Sequence, residues 1–192
     1  MAKRAKRNYV NNPDFLEALI KYQKDCREAE DAGEERPRVP DYVGTCIFQI
    51  GTRLATKPNF SGYSYKEDMI SDGIENCLLY INNFNPEKSS NPFAYFTQII
   101  WYAFLRRIAK EKKQMYIRFK SSQQMISSGG TYTSSADGAD IHLNTAAEYM
   151  NDFVQDYEDK IARDKAKKKE TEDAKKLEEE AAAKNESDGD ET

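Results

Sequence analysis

Aromatic and basic side chains are mixed through residues 91–120, and this mixture is the part of the sequence best suited to bind a ligand. The aromatic members are Phe93, Tyr95, Phe96, Trp101, Tyr102, Phe104, Tyr116 and Phe119. The basic members are Arg106, Arg107, Lys110, Lys112, Lys113, Arg118 and Lys120, against one acid, Glu111. Basic side chains attract a phosphate backbone, and flat rings stack on unpaired bases. The pattern therefore indicates a helix that contacts duplex DNA and a strand drawn out of it.

An acidic cluster precedes this run in the chain. Asp68, Asp72 and Glu75 are spaced three to four residues apart, so a helix would place them on one face. Carboxylates at this spacing could bind a metal ion, but such a face is more often solvated or turned toward a partner.

The sequence offers little catalytic chemistry. His142 is the only histidine, and no glycine-rich phosphate loop is present. We therefore interpret the chain as a binding protein rather than an enzyme, with no metal and no cofactor.

Charge is divided unequally along the chain. Residues 1–120 contain 20 basic and 15 acidic side chains, whereas residues 121–192 contain 9 basic and 18 acidic ones. This asymmetry is typical of a nucleic-acid-binding part joined to an acidic tail.

Cysteine usage and hydropathy place further bounds on the chain. Cys26, Cys46 and Cys77 lie far apart among apolar residues, which indicates buried thiols in a reducing compartment. No apolar run approaches the ~20 residues that cross a bilayer, so we expect no membrane partner.

Four helices are predicted in the first 120 residues, and they must position both clusters. Asn12 is expected to cap the first, and the second is expected to begin near Asp41. The third carries the acidic cluster and is expected to end at Pro86, and the fourth begins at Pro92. No alternation typical of strands is present, so the prediction is a compact all-α domain.

The predicted organisation has four parts: a basic arm at 1–12, a helical domain at 13–120, a Ser/Gly/Thr-rich linker at 121–145 and a charged segment at 146–192. Within the last part, residues 146–161 are expected to form a short amphipathic helix. The final eight residues are predicted to be disordered.

Two interpretations stay open for each half of the charged segment. Tyr149, Met150, Phe153 and Val154 either bind a partner or pack loosely on the domain. The acidic tail either competes with DNA for the basic helix or is merely solvated.

Four short segments in order carry a resemblance to a known family: NYVNN at 8–12, NFSGY at 59–63, MISDGIE at 69–75 and NPFAYFTQ at 91–98. They are similar to the late-transcription sigma factors of T-even-like bacteriophages. Residues 68–108 more broadly resemble region 2 of bacterial sigma factors. The resemblance covers about 60% of the chain and stops near residue 120.

The resemblance implies a mode of transcription initiation in the cytoplasm of an infected bacterial host. One set of residues matches positions that bind the clamp helices of the largest subunit of host core RNA polymerase: Asp68, Ser71, Asp72, Ile74, Glu75 and Leu78. A second set would contact promoter DNA: Tyr95, Gln98, Ile99, Tyr102, Leu105, Arg106, Arg107, Lys110, Lys112 and Lys113. A phage coactivator and the DNA sliding clamp are the further partners that the family implies.

Individual positions specify how the promoter would be recognised. Tyr95 matches the family aromatic that stacks on the base flipped during promoter melting, and Tyr102 and Leu105 match positions that read the duplex edge of the −10 element. Gln98 and Ile99 stand where ordinary sigma factors carry two adjacent tryptophans, and Trp101 has no assigned role. No counterpart of the −35-reading helix-turn-helix is visible in 121–192, so recognition is expected to rest on an A·T-rich −10 element.

Two other functions use the same residues differently. The chain could be a nonspecific DNA-binding accessory protein, which would need the aromatic-basic helix but not the acidic cluster. It could also be a structural helical protein, because Phe96, Ile100, Ala103 and Phe104 have the spacing of a core stripe.

Overall fold

The computed structural model describes residues 9–127 and 139–187, with side chains for 9–125 and 147–176. These residues form α1 (Asn12–Ala32), α2 (Asp41–Ala55), α3 (Pro58–Ser61), α4 (Lys66–Leu79), a 3-10 helix (Ile81–Asn83), α5 (Pro92–Ser127) and α6 (Ala139–Ser187). No strand forms in the described residues, so the predicted all-α class is confirmed. The chain divides into two compact units between Glu111 and Lys112.

Helix α1 begins one residue earlier than predicted. Asn11 holds the cap position in an extended conformation, and Asn12 is already helical. The Asn12 side chain instead accepts a hydrogen bond from the Phe93 amide and donates one to the Ser90 carbonyl, both at 3.2 Å. It therefore ties the start of α1 to the start of α5. The helix ends at Gly33, whose φ of 70° is a left-handed conformation that glycine adopts without steric cost.

A glycine allows α4 and α5 to approach closely in the first unit. A Cβ atom on Gly73 would lie 3.0 Å from Ile100 Cγ2 and 3.3 Å from Phe104 Cε1. The apolar stripe of α5 therefore packs directly on the α4 backbone. Phe96, Ile100, Ala103 and Phe104 are all buried, as their spacing predicts.

The connection from α4 to α5 is held by a buried amide. Gln23 of α1 donates hydrogen bonds to the carbonyls of Ile81, at 3.1 Å, and Phe84, at 2.9 Å. The third predicted helix is thus shorter than expected, because Ile81 belongs to a separate 3-10 turn and Phe84 follows it. Both apolar side chains stay buried in the core of the first unit.

The prediction of a basic N-terminal arm at 1–12 is wrong for residues 9–12. Val10 is buried, and the Tyr9 ring meets Phe93 edge-on at 5.7 Å between centroids. The Arg53 guanidinium lies 5.2 Å from the Tyr9 ring centroid. Residues 9–12 therefore belong to the folded first unit, and residues 1–8 lie outside the described part of the chain.

The second unit contains the end of α5 and α6. Tyr116 stacks on Tyr157 at 4.7 Å, Phe119 meets Phe153 edge-on at 5.4 Å, and Gln123 donates to Asn151 at 2.6 Å. Successive contact residues along α5 have increasing numbers, whereas their partners on α6 have decreasing numbers. The two helices therefore pair in antiparallel orientation.

The linker prediction for 121–145 is wrong at both ends, since α5 continues to Ser127 and α6 begins at Ala139. Pairing with a second helix stabilises these turns despite their polar composition. The prediction remains untested at 128–138, outside the described residues. The predicted disorder of the last eight residues is wrong at 185–187, which are helical, and 188–192 lie outside the described part.

Candidate functional site

Helix α4 presents the predicted acidic cluster on its surface. Asp68, Ser71 and Glu75 are exposed, and Asp72 is half-buried; we call these four residues the acidic face. Leu78 keeps 40% of its surface exposed beside them, whereas Ile74 packs partly against the core. The helical spacing predicts this grouping, because each member follows another by one turn.

Arg107 of α5 lies between three carboxylates. Its Nε is 3.2 Å from Asp72 Oδ2, its Nη2 is 3.5 Å from Asp68 Oδ1, and its Nη1 is 3.6 Å from Glu111 Oε1. The Arg107 side chain is 16% exposed. This arginine therefore faces α4. In this conformation its guanidinium is not free to contact a DNA phosphate, contrary to the prediction.

The electrostatics of this group leave an excess of negative charge. One guanidinium forms ion pairs with three carboxylates. The Nε–H of Arg107 is not aligned for a hydrogen bond to Asp72, so this contact is an ion pair alone. Glu75 forms no ion pair within the described residues. The acidic face thus keeps carboxylates available to a basic partner.

A different side of α5 faces away from the core. Gln98, Tyr102, Leu105 and Arg106 recur at helical spacing and are all exposed, and we call them the outward stripe. Tyr102 is 52% exposed and Leu105 43% exposed, although both are large and apolar. Ile99 is half-buried against the core and lies beside the stripe rather than on it.

Tyr95 stands near the start of α5 in a constrained position. Its hydroxyl donates a hydrogen bond to the Tyr80 carbonyl at 3.0 Å, and its ring meets Phe84 edge-on at 5.3 Å. Partial burial raises the pKa of this hydroxyl, with a smaller contribution from Cys77. The ring is half-buried, so it is held in one orientation before any ligand binds.

The other predicted cations of α5 have different surroundings. Arg106 donates a hydrogen bond from Nη2 to Asn76 Oδ1 at 2.6 Å, at the exposed surface. Lys110 is exposed in the first unit, and Lys112 and Lys113 are exposed in the second. The stretch from 106 to 113 therefore keeps four exposed cations, while Arg107 is turned inward.

Several rings of the aromatic-basic run have packing roles. The Trp101 ring meets the Phe60 ring edge-on, with 4.8 Å between centroids, so Trp101 packs at the edge of the first unit's core. In the second unit, Tyr116 and Phe119 pack on α6 as described above. Only part of the run identified from the sequence is therefore available to nucleic acid.

A polar cluster joins the same two helices of the second unit. Lys120 Nζ and the Tyr116 hydroxyl each donate to Glu158 Oε1 at 2.8 Å. The hydrogen bond from Lys120, followed by that from Tyr116, holds the pKa of Glu158 below its usual range. Phe153 and Val154 pack inside this unit, so neither is free for the partner binding considered above; Tyr149 remains exposed.

Three residues of the site were missed by the sequence analysis. Asn76 holds Arg106, Glu111 completes the group around Arg107, and Gln23 fixes the turn that carries Tyr80 and Phe84. Glu111 had a visible signal, as the single acid of the run four residues after Arg107. Asn76 and Gln23 had none, because their partners are remote in sequence: Arg106 for Asn76, and the carbonyls of Ile81 and Phe84 for Gln23.

Comparison with known proteins adds no assignment: no protein-family model matches the chain, and no curated protein matches it significantly. Within the described residues, no cluster of histidine, cysteine and carboxylate side chains has the geometry of a metal site. The described helices also include none with the length and apolarity to cross a membrane.

All three cysteines are free thiols and buried, as predicted. Burial raises the pKa of Cys77 to about 12, and its Sγ lies 4.0 Å from the Phe96 carbonyl. This thiol is thus part of the core rather than a nucleophile.

Proposed function

We propose that this chain is a phage-encoded late sigma factor, which binds host core RNA polymerase and recognises and melts an A·T-rich −10 promoter element. The observation that carries the proposal is the placement of two surfaces on crossing helices. The acidic face lies on α4 and the outward stripe on α5, and the helices meet at Gly73 within one packed unit. A rigid crossing would fix the distance between a polymerase contact and a DNA contact.

The acidic face supports the docking half of the proposal. Asp68, Asp72 and Glu75 put three carboxylates on one side of α4, and the single guanidinium of Arg107 contacts two of them. Such a surface would steer a basic partner into place and select against wrong partners. Exposed Leu78 adds an apolar contact one turn beyond Glu75. A purely nonspecific DNA-binding protein has no use for this face, which would repel phosphates.

The outward stripe supports the DNA half. Tyr102 and Leu105 expose apolar surface between Gln98, which can donate and accept hydrogen bonds, and the cations from Arg106 onward. Tyr95, matched by resemblance to the base-stacking aromatic, is already oriented by Tyr80 and Phe84, so little side-chain entropy would be lost when a base stacks on it. Stacking on such a ring stabilises by about 1–3 kcal/mol, comparable to the free energy that base flipping requires.

The test is transcription by host core polymerase with this protein on a supercoiled template that carries the A·T-rich element. We expect initiation at that element, dependent on the protein. Binding to DNA without specific initiation would refute the sigma function and favour the nonspecific DNA-binding alternative.

A charge reversal on the acidic face tests docking separately. Glu75→Lys is better suited than Asp72→Lys, because Asp72 contacts Arg107 and its reversal would also disturb the α4–α5 contact. We expect Glu75→Lys to weaken polymerase binding at least tenfold. The matched control is Glu17→Lys, an equal charge change at an exposed position of α1. Equal binding by the two variants would contradict the docking assignment.

A further inference from the structure

We propose that Leu79 and Tyr80, here called the apolar wedge, enter promoter DNA beside Tyr95 and occupy the space that a flipped base leaves in the duplex. Leu79 is the last residue of α4, and Tyr80 caps the helix. Neither side chain belongs to the acidic face or to the outward stripe. The inference rests on the proposed function, and it gives that function a further DNA-contacting element.

The wedge exposes a large apolar surface. Leu79 keeps 68% of its surface exposed, the highest value among the large apolar side chains of the described residues, and Tyr80 keeps 47%. Leu78 is exposed beside them, so three consecutive apolar side chains face solvent. Such a patch marks a binding surface more often than a single exposed leucine does. Residues 76–86 contain no charged side chain, so the wedge lies where the charge of the acidic face has ended.

Two hydrogen bonds place the wedge beside the DNA-binding side of α5. The Tyr80 carbonyl accepts a hydrogen bond from the Tyr95 hydroxyl at 3.0 Å. Asn76, one turn earlier on α4, accepts one from Arg106 Nη2 at 2.6 Å. The end of α4 therefore runs along α5 between Arg106 and Tyr95. Tyr102 of the outward stripe lies between these two positions of α5, so the wedge adjoins the surface that we assign to DNA.

The backbone beneath the wedge is held in place from α1. Gln23 donates hydrogen bonds to the carbonyls of Ile81 and Phe84, which directly follow the wedge, at 3.1 and 2.9 Å. The Tyr80 amide keeps its helical hydrogen bond to the Asn76 carbonyl at 3.1 Å. A wedge supported on both sides keeps its position when it presses between base pairs, and little conformational entropy is lost on binding.

The chemistry of the wedge fits an unstacked base step. Leucine is one of the side chains with which proteins part neighbouring base pairs, and a tyrosine ring offers a surface on which a base can stack. When a base leaves the duplex for Tyr95, the bases on either side of it lose a stacking partner. Leu79 and Tyr80 would cover these exposed faces and so stabilise the opened duplex.

The experiment compares two promoter templates, each with host core polymerase and the full-length protein. One template is fully paired, and the other carries mismatches that hold the −10 element open. Permanganate reactivity of unpaired thymines measures opening, and transcript yield measures initiation. We expect Leu79→Ala/Tyr80→Ala to lower opening of the paired template about tenfold, because most of the apolar surface buried by the wedge is lost. Initiation on the mismatched template should fall less than about twofold, since no base pair remains to be opened there.

Two matched variants identify the cause of the loss. Leu79→Met/Tyr80→Phe keeps the apolar volume, and it should open the paired template as well as the unchanged protein does. Ile20→Ala/Phe48→Ala removes exposed apolar side chains from α1 and α2, and it should have no effect on opening. A similar loss in either matched variant would overturn the assignment of an apolar wedge to the end of α4.

The remaining outcomes separate the wedge from the proposed function. Unchanged opening of the paired template by Leu79→Ala/Tyr80→Ala would overturn the wedge and leave the sigma function intact. Equal losses on both templates, together with weaker binding to core polymerase, would also overturn it and would assign these side chains to polymerase docking. A protein that initiates on neither template before any substitution would refute the sigma function, and the wedge with it.

Discussion

The two halves of α5 carry the same mixture of rings and cations but use it differently. In residues 92–111 the buried side packs on α4 and the outward stripe stays exposed. In residues 112–127 the aromatic side chains pair with α6, with Tyr116 and Phe119 against Tyr157 and Phe153. Composition alone therefore does not locate a nucleic-acid surface. The side of the helix on which each ring lies, and what covers it, decides its role.

The largest effect is expected where the first half of α5 meets the core. Phe104 is fully buried and lies 5.1 Å from the Phe60 ring, so Phe104→Ala should lower the free energy of unfolding by about 3–5 kcal/mol. Tyr102, two residues away on the outward stripe, is the matched control, and Tyr102→Ala should cost about 0.5 kcal/mol or less. Urea unfolding followed by Trp101 fluorescence measures both. Similar losses would show that the two rings do not occupy different environments.

A smaller effect is expected in the second half. The Phe153 ring contacts Phe119 at 5.4 Å in a partly exposed interface, so Phe153→Ala should cost about 1–2 kcal/mol of local stability. Hydrogen exchange should rise in peptides from 112–125 and 147–158. Tyr149→Ala, at a more exposed ring 6.1 Å from Phe119, should have less effect. Unchanged exchange in both variants would mean that α6 does not stabilise the end of α5.

The smallest effect is expected in the pH dependence of local stability, and only in the second half of α5. Lys120, and then Tyr116, lower the pKa of Glu158 in the folded protein, so its contribution to stability is complete above the unfolded pKa of about 4.3. That contribution is lost as pH falls through the lower, folded pKa. Hydrogen exchange in 112–125 should therefore show an acid-induced increase beyond the intrinsic rate change, and Glu158→Gln should lack this titration. The same profile in both proteins would remove Glu158 as the cause.

Much of the first unit could be predicted from helical periodicity. The buried side chains of Phe96, Ile100, Ala103 and Phe104 share one helical phase. The start of α5 follows from Asn91, whose side chain caps the amide of Ala94 at 3.0 Å. Periodicity gives the phase of one helix but not what lies across from it. The partners of Arg107 therefore stayed hidden, although Asp68 and Asp72 were singled out themselves.

The remainder depended on contacts between segments remote in sequence. The linker prediction relied on Ser, Gly and Thr content, whereas the turns at 121–127 are helical beside a partner helix about 30 residues further along. The role of Tyr9 and Val10 was missed for the same reason, since a charged N-terminal sequence gives no sign that its end packs on α5.

Site-specific photocrosslinking tests most directly whether the outward stripe, and not the aromatic run as a whole, contacts the promoter. A benzoylphenylalanine replaces Tyr102 in one protein and Tyr116 in another, and each is assembled with host core polymerase on DNA bearing the A·T-rich −10 element. We expect crosslinks to the −10 DNA from position 102 and none from position 116. Crosslinking from 116 alone, or no crosslink from 102 in a complex that initiates transcription, would contradict the assignment of the outward stripe.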